Sequence, residues 1–98
     1  MKFTVKLRDT VSEDINNLPE KSRRIIRIAL QGLEVDPFPG TRGDKEKITL
    51  RGGSIIYRIH ISRTYTAFYS VNDVNKIVKI HDLFTINQAH KKYGYYFG

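Results

Sequence analysis

The hydrophobic pattern changes its period twice along the chain. Residues 2–7, KFTVKL, alternate polar and apolar side chains, which predicts a strand with one buried face. Apolar positions then follow helical spacing, which predicts a short helix near 11–18 and a second over 19–35. From residue 47 the period of a strand returns and continues over most of the remaining chain.

Turn and capping residues set the expected helix boundaries. Thr10 and Glu13 match a capping box at the start of the first helix. Pro19 suits the first turn of the second helix, where its missing N–H is not needed. Residues 36–40, DPFPG, end that helix, because proline cannot continue it. The two helices are therefore expected to form an αα-hairpin.

The second half of the chain predicts a set of hairpin-linked strands. The strand pattern covers four segments: 47–51, 55–61, 65–71 and 76–83. Gly52 and Gly53 mark a turn between the first two segments, and the tail over 85–93 suits a short helix. The predicted fold is α+β in the order β-α-α-β-β-β-β-α, with the helices covering one face of a largely antiparallel sheet.

Strand alternation leaves a second face of this sheet free of helices. Tyr57, Ile59 and Ile61 are expected to point towards the helices, so that Arg58 and His60 point outwards. The whole outward set comprises Arg58, His60, Thr66, Phe68, Ser70, Lys79 and His81, with Arg51, Arg63, Lys91 and Lys92 near it in sequence. Cations and an aromatic ring on a sheet suit single-stranded RNA. An ordinary solvated face explains the same residues equally well.

Charge favours a polyanionic partner. The 98 residues contain 17 Lys and Arg against 10 Asp and Glu, a net charge of +7. Residues 51–98 hold seven basic and two acidic side chains, and all three histidines. Nucleic acid is the commonest polyanion, although a basic surface can also serve solubility alone. The chain has no cysteine, no signal-peptide pattern and no membrane-spanning stretch, so we expect a cytoplasmic single-domain protein without membrane contact.

Few other kinds of chemistry suit these residues. His60, His81, His90 and Asp82 have no recognised zinc spacing, so no metal site is predicted. No serine lies in a nucleophile-elbow motif. Catalysis would therefore depend on cations, histidine and tyrosine. Such groups can drive attack of an RNA 2′-OH on the adjacent phosphorus.

Several short motifs together resemble one known family. These are the Leu18-Pro19 joint, DPFPG, LRGG, YRIHI, YTAFYSV and the strand that ends near HDL. Over about residues 2–93 the chain resembles the RelE/ParE toxin superfamily, most closely an archaeal-type RelE. The resemblance implies one RelE-like toxin domain over residues 1–98, with a microbial RNase-type fold.

The resemblance also implies a function. RelE toxins of type II toxin–antitoxin systems are ribosome-dependent endoribonucleases that cleave mRNA through 2′-OH attack and use no cofactor. A RelB-type antitoxin wraps the toxin and contacts operator DNA on behalf of the complex. We expect its amphipathic helix in an apolar groove beside the α-hairpin. A ParE-like inhibitor of DNA gyrase and a catalytically weakened RNA-binding homologue are the alternatives.

The family pattern assigns roles to particular positions. Arg58, His60 and Tyr93 match catalytic positions, and the RNA-binding set is Arg51, Arg63, Lys79, His81, His90, Lys91 and Lys92. Two departures affect this assignment. Thr66 stands where the family has a basic hairpin residue, and Ile86 or Gln88 stands where an arginine follows the last strand. His81 and His90 are the candidates to replace that arginine.

Overall fold

The computed structural model describes residues 2–40 and 43–85. The elements are β1 (Thr4–Leu7), α1 (Asp9–Asn16), α2 (Glu20–Gly32), β2 (Lys45–Thr49), β3 (Ile55–Ile61), β4 (Tyr65–Asn72) and β5 (Ile77–Thr85). The predicted tail helix over 85–93 lies outside these residues except for Thr85, which ends β5. The predicted order of elements is confirmed over the described part of the chain.

The five strands form one sheet in the order β1-β5-β4-β3-β2. The pairs β2–β3, β3–β4 and β4–β5 are antiparallel, as hairpin connections require. β1 joins β5 in parallel, because the chain leaves β1 through the α-hairpin before it enters the rest of the sheet. The α+β prediction with a largely antiparallel sheet is therefore confirmed.

The main core lies between the helices and one face of the sheet, here called the first face. Ile26 and Leu30 on α2 and Val11 and Ile15 on α1 are buried in this core. Phe3, just before β1, also lies in this core, and the strand side chains in it are Tyr57, Ile59, Ile61, Ala67, Tyr69, Val78, Ile80 and Leu83. Tyr57, Ile59 and Ile61 thus face the helices as predicted, which leaves Arg58 and His60 on the opposite side.

The opposite side, here called the second face, is not uniformly polar. Ile48, Ile56 and Phe68 form a separate small core there, with Phe84 packed against it. Phe68 is 0 % exposed and Thr66 1 %, so the prediction that both point to solvent is wrong. The reason is cross-strand packing: Phe68 and Phe84 meet edge to face, with ring centroids 6.0 Å apart.

Both helix starts differ from the predicted capping. α1 begins at Asp9 after Arg8, whose carbonyl accepts hydrogen bonds from the backbone N–H groups of Val11 and Ser12. The capping-box prediction is wrong, because Thr10 already lies within the first turn and no side chain caps the helix. Pro19 is the N-cap of α2 and not, as predicted, a residue of its first turn, so the helix begins one residue later, at Glu20. The helix ends at Gly32 and not at residue 35.

The turns follow the sequence signals. Gly52 and Gly53 both adopt φ of 95°, a left-handed conformation that L side chains disfavour, so this turn needs glycine. β2 begins at Lys45, two residues before the predicted start.

No helix within the described residues is long and apolar enough to cross a membrane.

Candidate functional site

Arg58 occupies the middle of the second face. Its register neighbours are Glu46 on β2 and Phe68 on β4. The guanidinium donates a hydrogen bond to the Glu46 carboxylate, and the Arg58 side chain is only 16 % exposed. The predicted catalytic arginine is thus held against an acidic side chain of the same sheet.

His60 lies two residues further along β3 on the same face. Its Nδ1 is 3.4 Å from the Thr66 hydroxyl, and its backbone N–H donates to the Asp44 carbonyl at 2.9 Å. Partial removal from water, followed by the positive charge of Arg58, lowers the pKa of His60 below its ordinary value of 6.5, against the opposing effect of Glu46 and Asp44. The ring is therefore mainly neutral at neutral pH and can accept a proton.

His81 lies at an irregularity in β5. The register of β4 and β5 shifts between Phe68 and Tyr69, so that His81 is left over between two paired positions. His81 Nε2 is 2.8 Å from the hydroxyl oxygen of Ser70. Partial burial, then the charge of Arg8, lowers the pKa of His81; Lys79 acts in the same direction and Asp82 against it.

The remaining predicted RNA-binding residues are spread over the molecule. Lys79 is exposed on β5 and belongs to the second face with His81. Arg51 and Arg63 are exposed in the turns at the two ends of β3. Seven strand residues separate those turns, which corresponds to about 23 Å. One nucleotide cannot contact both arginines, although a longer strand can.

Four predicted site residues lie outside the described part of the chain: His90, Lys91, Lys92 and Tyr93. Their roles remain predictions. The structure brings together Arg58 and His60 on β3, with Lys79 and His81 further across the same face. Within residues 2–40 and 43–85, no group of three or more His, Asp or Glu side chains is arranged to hold a metal ion.

Sequence reasoning did not identify two charged contributors to this face, Glu46 and Arg8, nor the contact of Ser70, which alternation assigns to it, with a histidine. Glu46 binds Arg58, and Ser70 contacts His81. Arg8 reaches His81 electrostatically because its backbone N–H is bonded to the Ile80 carbonyl at 3.1 Å. The polar–apolar alternation of β1 was a signal for Arg8, since it places residue 8 on the same side as residue 6. Nothing local in the sequence indicated the partner of Glu46.

Solved structures resemble this fold over most of its length. The RelE–RelB complex of the archaeon Pyrococcus horikoshii OT3 aligns with a TM-score of 0.73 and 29% identity, covering 87% of this chain and 96% of that chain. The protein is RelE-like. RelBE2 of Mycobacterium tuberculosis aligns at a TM-score of 0.67 and 17% identity, over 87% of this chain and 99% of that one. Neither protein-family models nor curated sequences give a match.

A bacterial toxin shares the fold at lower similarity. A mutant of the Escherichia coli toxin RelE in the free state aligns with a TM-score of 0.62 and 20% identity, covering 98% of this chain and 95% of that chain. The two bacterial likenesses support the fold alone. The archaeal RelE is the more similar in sequence of these three, in agreement with the expected archaeal-type resemblance. This RelE-like chain therefore presents its second face on a known toxin scaffold.

Proposed function

We propose that this protein is the toxin of a type II toxin–antitoxin pair and a ribosome-dependent mRNA endoribonuclease. The observation that carries the proposal is the pair formed by Arg58 and His60. The two side chains share one face of a RelE-like sheet, and partial burial, followed by the charge of the arginine, lowers the pKa of the histidine. A fixed cation beside a neutral imidazole is what metal-independent phosphoryl chemistry on RNA requires.

Each group takes a defined part in the proposed reaction. His60, neutral at pH 7, accepts the proton of the 2′-OH as its oxygen bonds to the adjacent phosphorus. Arg58 stabilises the negative charge that develops on the phosphorane oxygens. The bond to the 5′-oxygen breaks, and Tyr93 is proposed to supply the proton for this leaving group. The products carry a 2′,3′-cyclic phosphate and a 5′-OH.

The proposed partners follow from the same relatives. The archaeal and mycobacterial structures contain RelB-type antitoxins, and we propose such a partner here. A groove of about 230 Å³ lies between the α-hairpin and β1, with Leu7, Ile15 and Leu30 among its lining residues. An amphipathic helix of the antitoxin would place its apolar side chains in this groove. Operator DNA would be contacted through the antitoxin, and mRNA and the ribosome through the second face.

One observation favours a second candidate function. The Arg58 guanidinium is already paired with the Glu46 carboxylate. In addition, the sequence after β5, residues 86–98, contains no arginine. A ParE-like gyrase inhibitor, or a catalytically weakened RNA-binding homologue, needs no free active-site arginine. The main proposal requires that RNA phosphate displaces Glu46 from Arg58.

Primer extension on a message translated in vitro tests the proposal. Added wild-type protein should produce new stops at the ribosomal A site. Arg58→Gln and Tyr93→Phe should weaken them, the latter by about 10²-fold if Tyr93 transfers a proton. Lys21→Gln, which removes an exposed charge from α2, is the matched control and should cleave like wild type. Intact message would contradict the proposal and direct the work to gyrase supercoiling assays.

A further inference from the structure

A row of cations runs along the β1 and β5 side of the second face. β1 and β5 pair in parallel, and their register sets Lys6 directly opposite Lys79. Val5 and Leu7 pack against the main core, so Lys6 points to the second face. Arg8 directly follows β1 and is close enough to His81 for its charge to act on the imidazole. Lys6, Arg8 and Lys79 are all exposed, and His81 follows Lys79 on the same strand.

This row lacks the counter-charges found elsewhere on the sheet. Within residues 2–40 and 43–85, Lys6, Arg8 and Lys79 form no ion pair. By contrast, Glu46 neutralises Arg58 on β3, which is two strands from β5 and three from β1. Asp82 is the carboxylate next to the row, and it acts on His81. The positive potential of the second face is therefore concentrated over β1 and β5.

The arrangement is unfavourable for the protein alone. Like charges directly opposite each other on neighbouring strands destabilise a sheet. Burial is the main reason why the pKa of His81 is lowered, and the charges of Arg8 and Lys79 add to it, so the repulsion reaches the imidazole as well. A bound anion would reverse both effects, because phosphate oxygens attract all four side chains.

We propose that Lys6, Arg8 and Lys79 form a binding surface for the phosphate backbone of single-stranded RNA, separate from the Arg58 and His60 pair. The backbone stays extended at Arg8, just beyond β1, and side chains two residues apart on extended backbone lie about 6.6 Å apart, a spacing comparable to that of successive phosphates in an extended nucleic-acid strand. Lys6 and Arg8 therefore contact neighbouring phosphates, and Lys79 contacts the strand from β5. Ser70, held by His81, offers a hydroxyl beside them.

The chemistry of the row favours nucleic acid over an acidic peptide. An amphipathic peptide needs an apolar surface, and the apolar side chains of β1, Val5 and Leu7, line the groove on the other side of the sheet. The row itself offers charged groups without an apolar groove. The inference takes from the proposed function only that RNA is the polyanion, since binding at this row requires no cleavage.

Salt-dependent binding of a labelled 20-nucleotide oligouridylate tests the inference without the ribosome. Fluorescence anisotropy across a sodium chloride series would compare wild type with the triple variant Lys6→Gln, Arg8→Gln, Lys79→Gln. Each lost phosphate contact on a single strand reduces the slope of log K against log salt by about 0.7, so the triple variant should lose about 2. The matched control carries three exposed cation changes that leave the second face intact: Lys21→Gln, Arg27→Gln and Lys47→Gln.

The outcomes separate the inference from the proposed function. A large slope loss in the β1–β5 variant, with little change in the control, supports the surface even if wild type cleaves no message. An equal loss of slope in the two triple variants would show that only net charge matters and would overturn the inference. Absence of RNA binding by wild type would also overturn it. Unchanged RNA binding together with weaker capture of a co-expressed acidic antitoxin would assign the row to that protein instead.

A thermal measurement serves as a check on folding. Removal of Lys6 relieves the repulsion with Lys79, so Lys6→Gln alone should keep or raise the Tm at low salt. A lowered Tm for this variant would mean that Lys6 stabilises the free protein, which contradicts the argument that the row is held ready for an anion.

Discussion

The Glu46 carboxylate accepts a hydrogen bond from the Arg58 guanidinium, and the register of β2 and β3 sets these two residues opposite each other. The cation that sequence reasoning assigned to phosphate thus already has an anionic partner. RNA must compete with Glu46, so this carboxylate sets how strongly Arg58 can bind. A single substitution at Glu46 should therefore change the affinity of the second face for RNA.

Glu46→Gln should strengthen binding of oligouridylate RNA, because Arg58 is released from its carboxylate partner. The dissociation constant at a fixed salt concentration should fall, because the phosphate no longer has to displace a carboxylate from Arg58. Glu20→Gln is the matched control, since Glu20 pairs with Arg24 on the exposed side of α2. Equal affinity of wild type and Glu46→Gln would show that Arg58 does not reach the RNA.

The pKa of His60 should respond in opposite directions to its two charged neighbours. Arg58→Gln removes a cation that lowers this pKa, so the pKa should rise towards 6.5. Glu46→Gln removes an anion that raises it, so the pKa should fall further. NMR titration of the imidazole resonances measures both shifts, with Lys21→Gln as the unaffected reference. Shifts of the same sign in the two variants would contradict the observed geometry.

Acid should weaken the fold through His60 and His81. Both have a pKa below the ordinary 6.5 in the folded state, so below pH 6.5 the unfolded chain binds protons more readily. Their contribution to the free energy of unfolding is therefore complete above about pH 6.5 and is lost as pH falls towards the folded values. Urea unfolding at pH 7.5 and 5.5 should show a smaller loss for His81→Gln than for wild type. An identical loss would exclude His81 as a contributor.

Tyr69→Phe should destabilise the protein through one buried hydrogen bond. The Tyr69 hydroxyl donates to the Pro37 carbonyl at 2.7 Å, and burial raises the pKa of this tyrosine far above its usual range. Loss of the donor leaves a buried carbonyl unsatisfied, which costs about 1–3 kcal/mol. Urea unfolding measures this loss. Tyr65→Phe, at a half-buried tyrosine at the start of β4, should change stability by less than about 0.5 kcal/mol.

The stability of Phe68→Ala distinguishes the buried position observed for Phe68 from the exposed position that strand alternation predicts. A buried phenylalanine truncated to alanine costs about 3–5 kcal/mol, whereas an exposed one costs little. Phe68→Leu should cost less and leave enough folded protein for chemical denaturation. If both variants unfold at the wild-type denaturant concentration, Phe68 does not belong to the small core with Ile48 and Ile56.

The strands in the second half of the chain show how well the local hydrophobic pattern predicts the bounds of an element. Residues 55–61 were predicted with their observed bounds, because Tyr57, Ile59 and Ile61 alternate with polar neighbours and glycines precede the strand. Start positions were less accurate, as the early start of α1 at Asp9 shows. A capping side chain is only one of several ways to satisfy the first N–H groups of a helix.

The candidate site was partly predictable for the same reason. Period-2 alternation alone sets Arg58 and His60 on one face, and the structure confirms this placement. Phe68 was misplaced because alternation assigns a face but does not say whether that face is covered. The burial of Phe68 depends on Ile48, Ile56 and Phe84, which lie on other strands. Lys6 and Arg8 are not predicted for this face, because the excess of positive charge lies in the second half of the chain and β1 joins that half only through its pairing with β5.

The sequence by itself determined the elements, their faces and the excess of positive charge, because these depend on local periodicity and composition. Tertiary structure alone decided which charges meet. Antiparallel register pairs Glu46 with Arg58, and the parallel pairing of β1 with β5 sets Lys6 against Lys79 across 73 residues of chain. Register is a property of two strands together, so no single segment encodes it. On β2 and β3 the charge of Arg58 is therefore balanced by Glu46, whereas Lys6 and Lys79 on β1 and β5 remain positively charged.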